Sequence, residues 1–128
     1  MLQSKVVGAT NFNRNGMMVL ELLTENKNDF SILLAITLFG AIEALSNNAI
    51  TFDEARSVIL NPYVLDKAII AGCDNEVIEL IDKGLELDCI KRQFPELFQS
   101  SICEIRDNLV TYLVKVNISN NIIVRLKT

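Results

Sequence analysis

Histidine and tryptophan are absent from this sequence, and proline, tyrosine and glycine are scarce, at two, two and five in 128 residues. The missing histidine excludes most. Without an imidazole there is no Ser-His or Cys-His dyad, no HExxH zinc site and no general base that titrates near neutrality. Catalysis by carboxylates or lysine would need a recognisable pairing, and none stands out, so the chain reads as a non-enzyme. A carboxylate-lined helical cleft is the alternative in that direction. No GxGxxG, P-loop or GxSxG run occurs, which leaves nucleotide cofactors and hydrolase chemistry without support. No DxDxDG calcium loop occurs either, and no metal or other cofactor is expected.

Cysteine is sparse and odd in number. Cys73, Cys89 and Cys103 are widely spaced, with no CxxC pair to seed a zinc site. They read as small buried apolar residues of a reducing compartment. Long apolar runs are also missing. The most apolar stretch, Phe30 to Leu45, is interrupted by Ser31, Thr37 and Glu43, whereas a bilayer needs about 20 apolar residues. Met1 is followed by Leu2, Gln3 and Ser4, without the apolar core of a signal peptide. The expected location is cytoplasmic, with no membrane partner.

What is present is apolar mass. Half the residues are hydrophobic and the mean hydropathy is +0.31, at the upper edge for a globular chain. That excludes disorder. It also suggests more apolar surface than one small core hides, so a partner or a homodimer is expected. The length fits one domain, residues 1–128, with no linker or repeat.

The pattern predicts a mainly helical α+β fold. Asn15-Gly16 is the strongest short hairpin signal. A two-residue loop there would set Phe12 opposite Val19 and Ala9 opposite Leu22. Residues 25–29 read as a polar loop, and a helix apolar all round its circumference follows to Ser46, the mark of a core-spanning element. Gly40 inside it suggests a close helix contact. Thr51-Phe52-Asp53-Glu54 is a capping box, starting a helix to about Leu60. Asn61-Pro62 starts the next, closed after Ala71 by Gly72. Asp74 is expected to cap a helix over Asn75 to Lys83, with Gly84 as its C′ residue. A further turn or two follows from Leu87 to Phe94, then a long helix from Pro95 to about Lys115, with Tyr112 half-buried. Ile122-Ile123-Val124 reads as a last strand pairing with the N-terminal hairpin. The expected architecture is five to six helices with a small antiparallel sheet built from both chain ends.

Charge is polarised along the chain. From Asp74 to Asp88 stand Asp74, Glu76, Glu79, Asp82, Glu86 and Asp88 against Lys83 alone, while from Asn108 onward there are Lys115, Arg125 and Lys127 and no acid. The acids fit the solvated face of a short helix. They also fit a docking patch for a basic protein, because acidic patches steer such partners. They repel nucleic acid. Tyr63, beside the Asn61-Pro62 helix start, is a second candidate contact.

The runs Ile50-Thr51-Phe52-Asp53-Glu54-Ala55 and Asn61-Pro62-Tyr63-Val64-Leu65 carry a resemblance. So do Gly84-Leu85-Glu86-Leu87-Asp88-Cys89-Ile90, Phe94-Pro95-Glu96-Leu97 and Ser101-Ile102-Cys103-Glu104-Ile105. Over about Phe30 to Leu113 the chain resembles a bacterial family of small helical proteins known only as a domain of unknown function. The N-terminal hairpin and last strand look like additions to it. The resemblance implies a mostly helical fold and a bacterial source, and no activity. In size, charge and composition the chain is also similar to immunity proteins of contact-dependent growth inhibition. That likeness implies an immunity-type protein that neutralises a cognate toxin, a basic nuclease, by binding it. A scaffold or homodimeric module is the alternative.

Overall fold

The computed structural model describes residues 5–7, 18–117 and 122–127. Among them, strands β1 (Lys5–Val7), β2 (Val19–Thr24) and β3 (Ile123–Lys127) accompany six helices. These are α1 (Lys27–Ser46), α2 (Phe52–Val58), α3 (Pro62–Ala71), α4 (Asn75–Leu85), α5 (Leu87–Gln93) and α6 (Pro95–Lys115). The fold is mainly helical with a small antiparallel sheet, as the sequence pattern implies.

Local chemistry sets most helix starts. Asn26 caps α1, its side chain accepting from the Asn28 amide at 2.8 Å, so the helix begins inside the stretch expected to be a loop. The extension brings Asp29 into the first turn, where a carboxylate favours the positive end of the helix dipole. The capping box forms at α2: the Glu54 amide donates to the Thr51 hydroxyl at 3.1 Å, and the Thr51 amide donates to the Glu54 carboxylate at 2.8 Å. Asn61 caps α3 by accepting from the Val64 amide at 2.9 Å. Gly72 ends α3 in the left-handed region at φ 76°, which a side chain would resist.

The core lies between α1, α4 and α6. Helix α1 contacts α2, α4, α6 and strands β1 and β2, which accounts for apolar residues around its whole circumference. Its 20 residues are long and apolar enough to cross a membrane, with a mean hydropathy of 1.7, and 56% of that stretch is buried inside the protein. Leu38, Ile42, Val77, Ile81, Ile102, Ile105 and Leu109 are fully enclosed. Each such side chain contributes roughly 1.5–3 kcal/mol of burial free energy.

Neither of two helical glycines plays the role expected of it. Gly40 sits on the exposed side of α1, where an added Cβ would meet nothing within 4 Å. The close contact occurs instead at Gly84, where a Cβ would lie 2.7 Å from Leu60 Cδ2. Gly84 is a buried residue within α4, not its C′ position, because α4 runs on to Leu85 and α5 follows from Leu87. The Leu60 contact also places the start of α3 beside the end of α4.

The sheet has the order β1-β2-β3, with both pairs antiparallel. Strand β3 joins β2 with Leu22 opposite Val124, so both chain ends meet as expected. The partner of Leu22 on β1 is Val7, where the two-residue loop would have put Ala9. The backbone register is therefore shifted by two residues from the expected one. The Asn15-Gly16 turn and Phe12 lie outside the described residues.

Candidate protein-binding site

Helix α4 is amphipathic, and its core side decides what its outer side presents. Val77, Leu80, Ile81 and Gly84 are buried. Glu79 and Asp82, with Glu86 at the helix end, fall at i, i+3 and i+7 on the opposite face and are exposed.

A seam of polar contacts joins α4 to α6. The Tyr112 hydroxyl donates to Asp74 Oδ2 at 2.6 Å, and the Asp74 amide donates to Ser31 Oγ at 2.9 Å. Lys115 Nζ reaches both oxygens of Glu76, at 2.7 and 2.8 Å. Lys83 Nζ lies 3.2 Å from Glu104 Oε1. From the Glu76–Lys115 pair to the Lys83–Glu104 pair the numbers rise along α4 and fall along α6, so the two helices run antiparallel. Between the Glu76 and Lys83 pairs lies a groove of about 230 Å³ lined by Glu76, Glu79, Leu80, Lys83, Asn108 and Thr111.

The six candidate acids therefore divide. Asp74 makes no capping bond to its own helix, contrary to expectation, because its carboxylate is turned toward Tyr112. Glu76 is paired with Lys115. Asp88, on α5, sits between Arg56 at 3.1 Å and Arg92 at 3.6 Å. Glu79, Asp82 and Glu86 are exposed and have no ion-pair partner among the described residues, while Asp74, half-buried and bonded to the neutral Tyr112 phenol, keeps its charge but offers less of it to solvent. Bonded counter-ions weaken the far field of Glu76 and Asp88.

The titration shifts follow the same contacts. Tyr112, expected to be half-buried, is 1% exposed. Burial pushes its phenol above the ordinary tyrosine range, and donation to Asp74 raises it further. Hydrogen bonding to Asp53, and then to Asp88, holds the Arg56 guanidinium above its usual value. The bond from Arg106 to Glu43 does the same for Arg106.

Tyr63 lies on α3, 69% exposed, with Lys67 Nζ 5.4 Å above its ring. Helix α3 packs on α4 yet buries only Ala68 fully. Ile69 and Ile70 are exposed, Ile70 by 78%. Of this open side the sequence pointed only to Tyr63; Ile69 and Ile70, like the groove residues Asn108 and Thr111, carried no signal of their own. Of the cysteines only Cys73 is buried; Cys103 is intermediate and Cys89 exposed, because position 89 falls on the outer side of α5. A second apolar surface lies on the sheet. Leu20, Val124 and Leu126 share one face by register, all exposed, with Met18 preceding them. No cluster of three or more acidic or thiol groups able to hold a metal occurs among the described residues.

No curated protein and no solved structure matches the chain significantly. One family does, over residues 25–124, a span that takes in all six helices and reaches the first residues of β3. The last strand is thus partly inside the family's span, and only the N-terminal strands lie wholly outside it. The chain belongs to the family of proteins of unknown function DUF3969.

Proposed function

We propose that this protein is a non-catalytic binding protein that docks a basic partner against the outer face of α4, and that its biological form is an immunity-type protein neutralising a cognate toxin, a basic nuclease. The observation that carries the reading is the set of three exposed carboxylates without counter-ions, Glu79 and Asp82 on the outer face of α4 and Glu86 at its C-cap. The open apolar side of α3 on the neighbouring helix supports it, because a charged rim beside an apolar anchor suits a protein interface. The absence of histidine from the whole chain is in keeping with a role without turnover.

Unpaired surface charge acts mainly on association rate, and its reach is about 8–10 Å at physiological salt. Affinity would come from the apolar contacts, and nanomolar binding corresponds to about −12 kcal/mol. The test begins with capture of the partner by tagged protein at moderate salt. The partner's isolated domain should kill cells unless this chain is co-expressed. Reversing charge at Glu79 and Glu86 together should then slow association and flatten its salt dependence. Unchanged kinetics in that double variant would refute the role of α4.

The exposed apolar sheet face at Leu20, Val124 and Leu126 favours a second reading, a homodimeric scaffold module. Sedimentation of the isolated protein decides it, since a monomer at high concentration is incompatible with that reading.

A further inference from the structure

The seam between α4 and α6 is a ladder with one rung incomplete. Its filled rungs are Asp74 with Tyr112, Glu76 with Lys115, and Lys83 with Glu104. Between the last two stands Glu79, and the α6 residues facing that stretch of the groove are Asn108 and Thr111. Neither is a cation. Glu79 is the groove's one charge without a counter-ion, since Glu76 and Lys83 are already neutralised.

We propose that this groove receives one guanidinium side chain of the basic partner, which completes the missing rung. The inference rests on the reading of α4 as a face for a basic protein, and it names the group that α4 would bind. The Glu79 carboxylate would accept the charged hydrogen bonds, and the Asn108 and Thr111 side-chain oxygens would accept further N–H donors. Buried Leu80 gives the groove an apolar base on which the flat cation and its methylene stem can lie. A guanidinium suits this set better than an ammonium, because its five donors spread in a plane toward several acceptors at once. At about 230 Å³ the groove is smaller than the roughly 300–1,000 Å³ of a drug-sized ligand site. That volume suits a single side chain. Core packing holds α4 against α6 at a set separation, so little ordering accompanies binding.

The test uses the full chain, isotope-labelled, with butylguanidinium, butylammonium and a hexa-arginine peptide as probes, followed by amide and side-chain NMR shifts. Butylguanidinium should perturb Glu79, Asn108 and Thr111 saturably, with a Kd of about 1 mM, and more tightly than butylammonium. Glu79→Gln should weaken it about tenfold, while Asp82→Asn, on the same helix but outside the groove, should leave it unchanged. Shifts spread evenly over Glu79, Asp82 and Glu86, or retained in Glu79→Gln, would overturn the proposal. If hexa-arginine binds the wild type and Glu79→Gln equally, the groove fails while the acidic-face reading survives. If it binds neither, both fail.

Discussion

Replacing each of two helical glycines by alanine should move stability in opposite directions. Both lie inside α-helices, Gly40 in α1 and Gly84 in α4, and intrinsic propensity favours alanine by about 1 kcal/mol at either. At Gly40 nothing stands within 4 Å of the new methyl, so Gly40→Ala should stabilise by up to about 1 kcal/mol. At Gly84 the methyl would lie 2.7 Å from Leu60 Cδ2 and 3.9 Å from Leu38 Cδ1. Ordinary carbon contacts are about 3.5–4.0 Å, so Leu60 must retreat by roughly 1 Å. It is 2% exposed and enclosed by the core. Overpacking of this kind costs about 1–3 kcal/mol, which outweighs the propensity gain and leaves Gly84→Ala destabilised by about 1 kcal/mol. The two variants should therefore differ by about 2 kcal/mol. Urea unfolding measures this directly as a shift in midpoint at constant slope. Thermal midpoints should separate in the same sense, at about 3–5 °C per kcal/mol for a chain of this size. A third measurement isolates the cause: the cost of Gly84→Ala should shrink by more than about 0.5 kcal/mol in a Leu60→Ala background. Equal stabilisation by both glycine substitutions would refute the packing argument.

Other consequences concern polar contacts. Tyr112→Phe removes the phenolic donor from the Asp74 carboxylate and should cost about 2 kcal/mol in denaturant unfolding. The Tyr112 phenol is raised in the fold, so the folded state holds its proton more tightly than the unfolded chain. Its contribution is therefore fully present below about pH 10 and is lost as pH rises above that value. A stability profile that falls above pH 10 in the wild type and less steeply in Tyr112→Phe would bear this out; parallel profiles would contradict it. Thr51→Ala removes one side of the capping box and should cost about 1 kcal/mol, read as a loss of unfolding midpoint. Lys115→Gln releases an exposed pair and should change stability by less than about 1 kcal/mol.

The sequence by itself determined what depends on neighbours a few residues away. Thr51 with Glu54, Asn61 with Pro62 and the left-handed Gly72 set their helix ends through bonds or dihedrals spanning three or four positions. Apolar residues spread around the circumference of α1 marked it as the core helix, because such a helix has little solvated side to offer. The concentration of acids from Asp74 to Asp88 was equally visible, and so was the pairing of β3 with the N-terminal hairpin.

Which acids remain available was decided only by tertiary structure. Asp74 meets Tyr112 across 38 residues, Glu76 meets Lys115 across 39 and Arg56 meets Asp88 across 32. No local pattern encodes such distances, since they follow from how α4, α5 and α6 pack. The same holds for the glycines. The sequence pattern put Gly40 inside one helix with a close contact and Gly84 just past the end of another, and only the approach of Leu60 showed that Gly84 is the one with a steric reason to lack a side chain. Hydropathy could assign α3 an apolar character but not a partner. The core between α1, α4 and α6 was already filled, and that left Tyr63, Ile69 and Ile70 facing outward.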